Sequence, residues 1–166
     1  MGHRRWTERN RPSRSRDTRV KLFPLPKERR NANLNTAVLD GQGVIWFTGQ
    51  NGIYGRLDPK SGTMAVFDAP RGTGPYGIAT TPGGQVFFAS LAGNYLGQID
   101  LETGGVTVLE PPVPRQGARR VWSDSRGALW ITGWNSGDLF PLRHQDERLG
   151  APAFARRQAA ALRGLC

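Results

Sequence analysis

The chain has 166 residues, 22 of them Gly and 12 Pro, and a formal net charge of +10. Its single Cys is Cys166, which excludes an internal disulfide framework and a thiolate metal site, and no run approaches the roughly 18 apolar residues of a membrane helix. Residues 1–30 carry 11 Lys/Arg against 3 Asp/Glu, residues 31–140 carry 7 against 8, and residues 141–166 carry 5 against 2, so the excess charge sits at the ends. Neither a nucleic-acid face nor a membrane face is therefore expected from the middle of the chain.

Residues 1–19 are Arg-rich without periodicity and read as a disordered or misassigned basic leader. No apolar core follows the first positive charges, so they are not a signal peptide, and the default expectation is a cytoplasmic protein. Residues 20–26 (VKLFPLP) match residues 64–70 (MAVFDAP) at a shift of 44 and predict the last strand of a preceding unit. Residues 34–70 then read as four short strands separated by Gly-rich turns, with Trp46 and Phe47 on the second strand. Residues 75–112 repeat that pattern: strands at 76–81, 85–91, 95–101 and 106–109.

Three landmarks agree on one period. Gly43-Val44-Ile45-Trp46-Phe47 recurs as Gly84-Gln85-Val86-Phe87-Phe88 after 41 residues, and Leu57-Asp58-Pro59-Lys60-Ser61-Gly62 as Ile99-Asp100-Leu101-Glu102-Thr103-Gly104 after 42. Gly127-Ala128-Leu129-Trp130-Ile131 follows Gly84 by 43. A four-strand unit of this period is a β-propeller blade. Residues 113–140 start a third blade, with Arg119-Arg120-Val121-Trp122 as its inner strand. The expectation is an all-β, partial β-propeller of about 2.5 to 3 four-stranded blades with irregular basic ends. Such an arc leaves faces uncovered and is expected to be poorly stable by itself.

After Phe140 the alternation stops, and residues 141–166 read as a tail outside the propeller. Read one base later, the codons of Phe140, Pro141, Leu142, Arg143 and His144 permit Ser-Arg-Tyr-Asp, which resembles Gly55-Arg56-Leu57-Asp58. The tail is accordingly expected to be a frameshifted translation of further blade. The flanking DNA checks this.

The blade motifs Ile45-Trp46-Phe47-Thr48, Tyr54-Gly55-Arg56-Leu57-Asp58-Pro59, Pro75-Tyr76-Gly77-Ile78-Ala79 and Arg119-Arg120-Val121-Trp122-Ser123-Asp124 resemble the repeats of virginiamycin B lyases, also called streptogramin B lyases. The resemblance implies a seven-bladed funnel with its site at the central channel and a small-molecule or cyclic-peptide ligand. It also implies Mg²⁺-dependent C–O elimination that linearises streptogramin B antibiotics, with a His as acid or base and Glu holding the metal. A positioned base and a hard cation suit proton removal beside a carbonyl. The only histidines here are His3 and His144, both in the basic ends, so no catalytic and no metal-binding residue is assigned. The expectation is an inactive piece of a lyase-like propeller that lacks the catalytic blades; the alternative is a non-catalytic propeller binding module.

Asn33, Asn35, Tyr76, Arg119 and Arg120 sit at or beside the inner strands and are the candidate channel-lining residues. Alternation along a strand predicts that Arg119 and Arg120 point to opposite faces. Asp58, Asp100 and Asp124 are expected to form Asx-type turns rather than to hold metal.

Overall fold

In a computed structural model of the chain, residues 20–142 are described. The proposed leader (1–19), most of the proposed tail, His3 and His144 lie outside them.

Eleven strands follow one another: β1 (Leu34–Leu39), β2 (Ile45–Gly49), β3 (Ile53–Leu57), β4 (Met64–Asp68), β5 (Pro75–Thr80), β6 (Val86–Ser90), β7 (Tyr95–Ile99), β8 (Val106–Leu109), β9 (Ala118–Ser123), β10 (Leu129–Gly133) and β11 (Leu139–Leu142). They form three antiparallel sheets in the orders β1-β2-β3-β4, β5-β6-β7-β8 and β9-β10-β11. Each sheet is a meander, so every strand pairs with its chain neighbour, as hairpin connections require. The partial propeller expected from the repeat is present, and the third strand of the last sheet runs on to Leu142, beyond the boundary at 140.

The pairing register proves the repeat. Trp46 faces Val38 and Arg56, Phe87 faces Ala79 and Gln98, and Trp130 faces Trp122 and Pro141. All three therefore occupy one position on the second strand of successive sheets. Trp46 is buried at 0% exposure against Ile78 and Val86 of the second blade, and Phe87 at 1% against Val121, Leu129 and Ile131 of the third. Phe47 points the other way, towards Ile53, Met64 and Val66. The aromatic pair thus packs both faces of its sheet, as alternation demands. On the third blade the equivalent face is open: Trp122 is 65% and Leu139 63% exposed.

Residues 20–26 differ from expectation. They form no strand, because a ladder needs backbone partners and no described strand flanks them. They nevertheless lie where the repeat puts them. Phe23 approaches Gly62, with Cε1 3.7 Å from where a Cβ would stand. Phe67 of β4 sits over Gly104 in the same way one blade later. The ion pairs Arg29–Asp68 and Arg71–Glu110 repeat at 42 residues too, each tying the connection before a blade to the end of that blade's outer strand or just beyond it.

The turns rest on aspartate side chains. Asp58 Oδ1 accepts from Lys60 N at 2.9 Å, Asp100 Oδ1 from Glu102 N at 2.9 Å, and Asp124 Oδ1 from Arg126 N at 2.9 Å and Ala128 N at 3.0 Å. Asp40 and Asp124 also accept from the indoles of Trp46 and Trp130, at 2.9 and 3.2 Å. These contacts hold the carboxyl of Asp58 below its ordinary pKa, chiefly through Ser61, that of Asp100 through the Thr103 amide, and that of Asp124 through Trp130. A carboxyl depressed in the folded state contributes stability that is full above its unfolded pKa and lost as pH falls through the folded one. Urea midpoints are therefore expected to be flat near neutrality and to fall below about pH 4, and Asp124→Asn should remove part of that fall. An acid branch unchanged by Asp124→Asn would contradict this assignment.

Candidate functional site

The first strands β1, β5 and β9 of the three sheets lie side by side. Each carries a register shift near its start, between Leu34 and Ala37, between Pro75 and Ile78, and opposite Thr132 and Gly133. Because of this shared bulge, Asn35, Tyr76 and Arg119 take equivalent places, as do Thr36, Gly77 and Arg120. A bulge adds a residue and re-aims the side chains beside it.

Gly77 lets two of these strands meet. A Cβ there would stand 2.8 Å from Arg120 Cα and 3.0 Å from the Arg119 carbonyl oxygen. No larger residue fits without moving backbone. The Tyr76 carbonyl is tied to the first blade by the Thr48 hydroxyl, which donates to it at 2.5 Å. At the far side, Gly117 N donates to Asn94 Oδ1 at 2.7 Å and fixes the entry to β9.

On this base a cationic and aromatic cluster forms. Arg119 Nη2 donates to the Tyr76 hydroxyl at 3.0 Å. The Arg119 guanidinium carbon lies 4.8 Å from the Tyr76 ring centre and 3.9 Å from that of Trp134, and that of Arg120 lies 5.0 Å from the Tyr76 ring. These are cation–π distances. Arg120 Nη1 also reaches the Thr36 hydroxyl at 3.4 Å, and that hydroxyl donates to Asn35 Oδ1 at 2.7 Å. Arg119 is half-buried and Arg120 exposed. The opposite pointing expected of the two arginines is not what is found: both heads lie against Tyr76, because the bulge breaks the two-residue period between them.

The structure therefore brings together Asn35, Tyr76, Arg119 and Arg120, and adds Thr36 and Trp134, which the sequence reading missed. Trp134 follows β10 in the turn and is 60% exposed, and an exposed Trp beside two Arg is the signal that could have found it. Asn33 stands apart. Its φ is +51°, its carbonyl accepts from Gln50 N at 3.0 Å, and glycines fill the equivalent places at Gly74 and Gly117 with φ of +124° and +71°. Asn is one of the few side chains that tolerates this left-handed backbone.

The cluster sets the Tyr76 hydroxyl below its ordinary pKa, first through the Arg119 hydrogen bond and then through the side chain of Asn35. Burial pushes Tyr95 the other way, up to about 12, and also raises Tyr54. The chain has three Tyr. Ultraviolet titration should show one phenol ionising below the usual range and two above it, and Tyr76→Phe should delete the low step alone. Survival of that step in Tyr76→Phe would contradict the site.

Among the described residues no group of three or more His, Cys, Asp or Glu is placed to hold a metal ion. The charged groups that converge here are cations, and Mg²⁺ favours carboxylate and carbonyl oxygens. The Mg²⁺ implied by the resemblance does not fit them.

Fold and cluster together define an arc of a β-propeller with a cationic, aromatic cluster where its first strands meet. The structures it is similar to include lyases of the expected type and other β-propellers. A catalytically inactive virginiamycin B lyase from Staphylococcus aureus, solved with quinupristin, matches 80% of this chain at 24% identity and TM-score 0.64, over 47% of its own length. Selenomethionine-substituted virginiamycin B lyase from Staphylococcus aureus matches 74% at 26% identity and TM-score 0.59, over 44% of its length. The WD40 β-propeller domain of Doa1 matches 71% at 13% identity and TM-score 0.58, over 39% of its length. The chain thus spans about half the length, or less, of the propeller structures it matches. No family model matches it, and no curated protein matches it.

Proposed function

We propose that this arc forms part of the ligand-binding wall of a lyase-like propeller, and that its own contribution is binding rather than chemistry. The observation that carries the reading is the stack of Tyr76, Arg119 and Trp134 where the first strands of the blades meet. Strand ends and loops around a propeller axis are where a ligand is held. The similar structure that contains quinupristin supports a cyclic peptide or other small molecule as the ligand.

In a complete propeller of this kind, the acid, base and metal-holding groups of C–O elimination come from other residues. The cluster here orients the ligand. Arg119 is braced between two rings, so little side-chain freedom is lost when a carbonyl or anionic oxygen meets the wall. Gly77 sets the spacing of that wall.

Titrating the full chain with quinupristin, followed by the nuclear magnetic resonance signals of Tyr76 and Trp134, tests this. Mass spectrometry in the presence of Mg²⁺ reads any product. The expected result is a saturable shift of both rings, lost in Arg119→Ala, with no linearised product. No shift, or a shift indifferent to Arg119→Ala, would overturn the binding wall. A linear product would overturn the division between binding and chemistry.

A further inference from the structure

Arg119 and Arg120 are adjacent cations on β9, and both heads rest on one ring. Among the described residues neither enters an ion pair: the pairs are Arg29–Asp68, Arg71–Glu110 and Arg126–Asp124. Two like charges held this close repel, and a ring quadrupole offsets only part of that. The Arg119 Nε–H is buried with no acceptor, an unmet donor of a kind proteins avoid. The Arg120 side chain has only the long bond to Thr36, and the residue is exposed. The Tyr76 hydroxyl accepts from Arg119 and still has its own proton to donate. The neighbourhood is thus rich in donors and positive charge, and among the described residues no acid is paired with either arginine. Trp134 beside it exposes an indole to solvent.

Oxygen anions are what planar guanidinium forks recognise. An exposed indole face adds an apolar contact for whatever is attached to the anion. We infer that the wall binds the carboxylate of a small ligand that bears a ring or comparable apolar group: the carboxylate accepts from Arg120 and from the Tyr76 hydroxyl, and the apolar part lies against Trp134. This rests on the binding-wall reading above and narrows its ligand class.

Benzoate is the probe, with benzamide and inorganic phosphate as comparators, each titrated into the full chain while the Tyr76 and Trp134 signals are followed. Benzoate is expected to shift both signals saturably and to weaken as salt rises. Arg120 is exposed, so Arg120→Gln should fold normally and bind benzoate about tenfold more weakly, a loss typical of one charge-assisted bond. Arg120→Lys should recover part of the loss. Benzamide binding as well as benzoate would overturn charge recognition, and phosphate binding better than benzoate would overturn the ring-bearing carboxylate. Unchanged benzoate binding in Arg120→Gln would overturn the role of Arg120. A quinupristin response without a benzoate response would sink the carboxylate assignment alone, whereas silence to both would sink the binding wall with it.

Discussion

Trp46→Ala is expected to lower stability by about 3–5 kcal/mol, the usual cost of emptying a large buried aromatic site. Trp46 is fully buried at the junction of the first and second blades, against Ile78 and Val86. Its indole N–H is bonded to Asp40, and the Arg56 guanidinium carbon lies 5.6 Å from its ring centre. Truncation would leave a cavity between two sheets and strip a bond from the turn aspartate. Domain stabilities are themselves about 5–15 kcal/mol, so the cooperative urea transition of so short an arc should be lost or shifted far down. Trp122→Ala is the internal comparison, because Trp122 is on the open face at 65% exposure. It should change stability by no more than about 0.5 kcal/mol. Equal losses in the two variants would mean that the blades do not pack in this order.

Gly104→Ala is the second large effect, at about 2–5 kcal/mol. Gly104 has φ of +80°, and a Cβ there would stand within 2.5 Å of Phe67 Cε1. The backbone alone costs a side chain about 1–2 kcal/mol in this region. Pushing the Phe67 ring aside adds an overpacking cost of about 1–3 kcal/mol. That ring also stacks on Tyr54 at 5.2 Å between centres, and the Tyr54 hydroxyl donates to the Gly104 carbonyl at 2.7 Å. One methyl group therefore disturbs the main polar and apolar contacts of the outer blade junction together. Gly83→Ala should be nearly silent, since only the Thr81 hydroxyl lies near, at 3.8 Å. Urea titration of the two variants separates these outcomes.

The repeat was legible because its marks are local. Gly-rich turns, aspartates at fixed offsets and the aromatic residue on each second strand are all set within a few residues of chain. They gave the blade order and placed Trp46 and Phe87 on matching second strands. Residues 20–26 show the limit. Their sequence matches an outer strand and their Phe23 sits at the matching glycine, but a strand also needs a partner that sequence similarity does not provide. The site was half legible. Position on an inner strand found Asn35, Tyr76, Arg119 and Arg120. It could not find the bulge, which depends on pairing across strands and turns both arginines onto Tyr76. Nor could it find Trp134, which reaches Arg119 from the turn after another strand.

Nuclear Overhauser contacts between labelled aromatic rings and methyl groups test the central claim, that one unit recurs and that its repeats pack in sequence around a shared inner edge. Contacts are expected from Trp46 to Ile78 and Val86, and from Phe87 to Val121, Leu129 and Ile131. Contacts from Trp46 to Leu129 or Ile131, or none between the ring of one sheet and the methyls of the next, would contradict it.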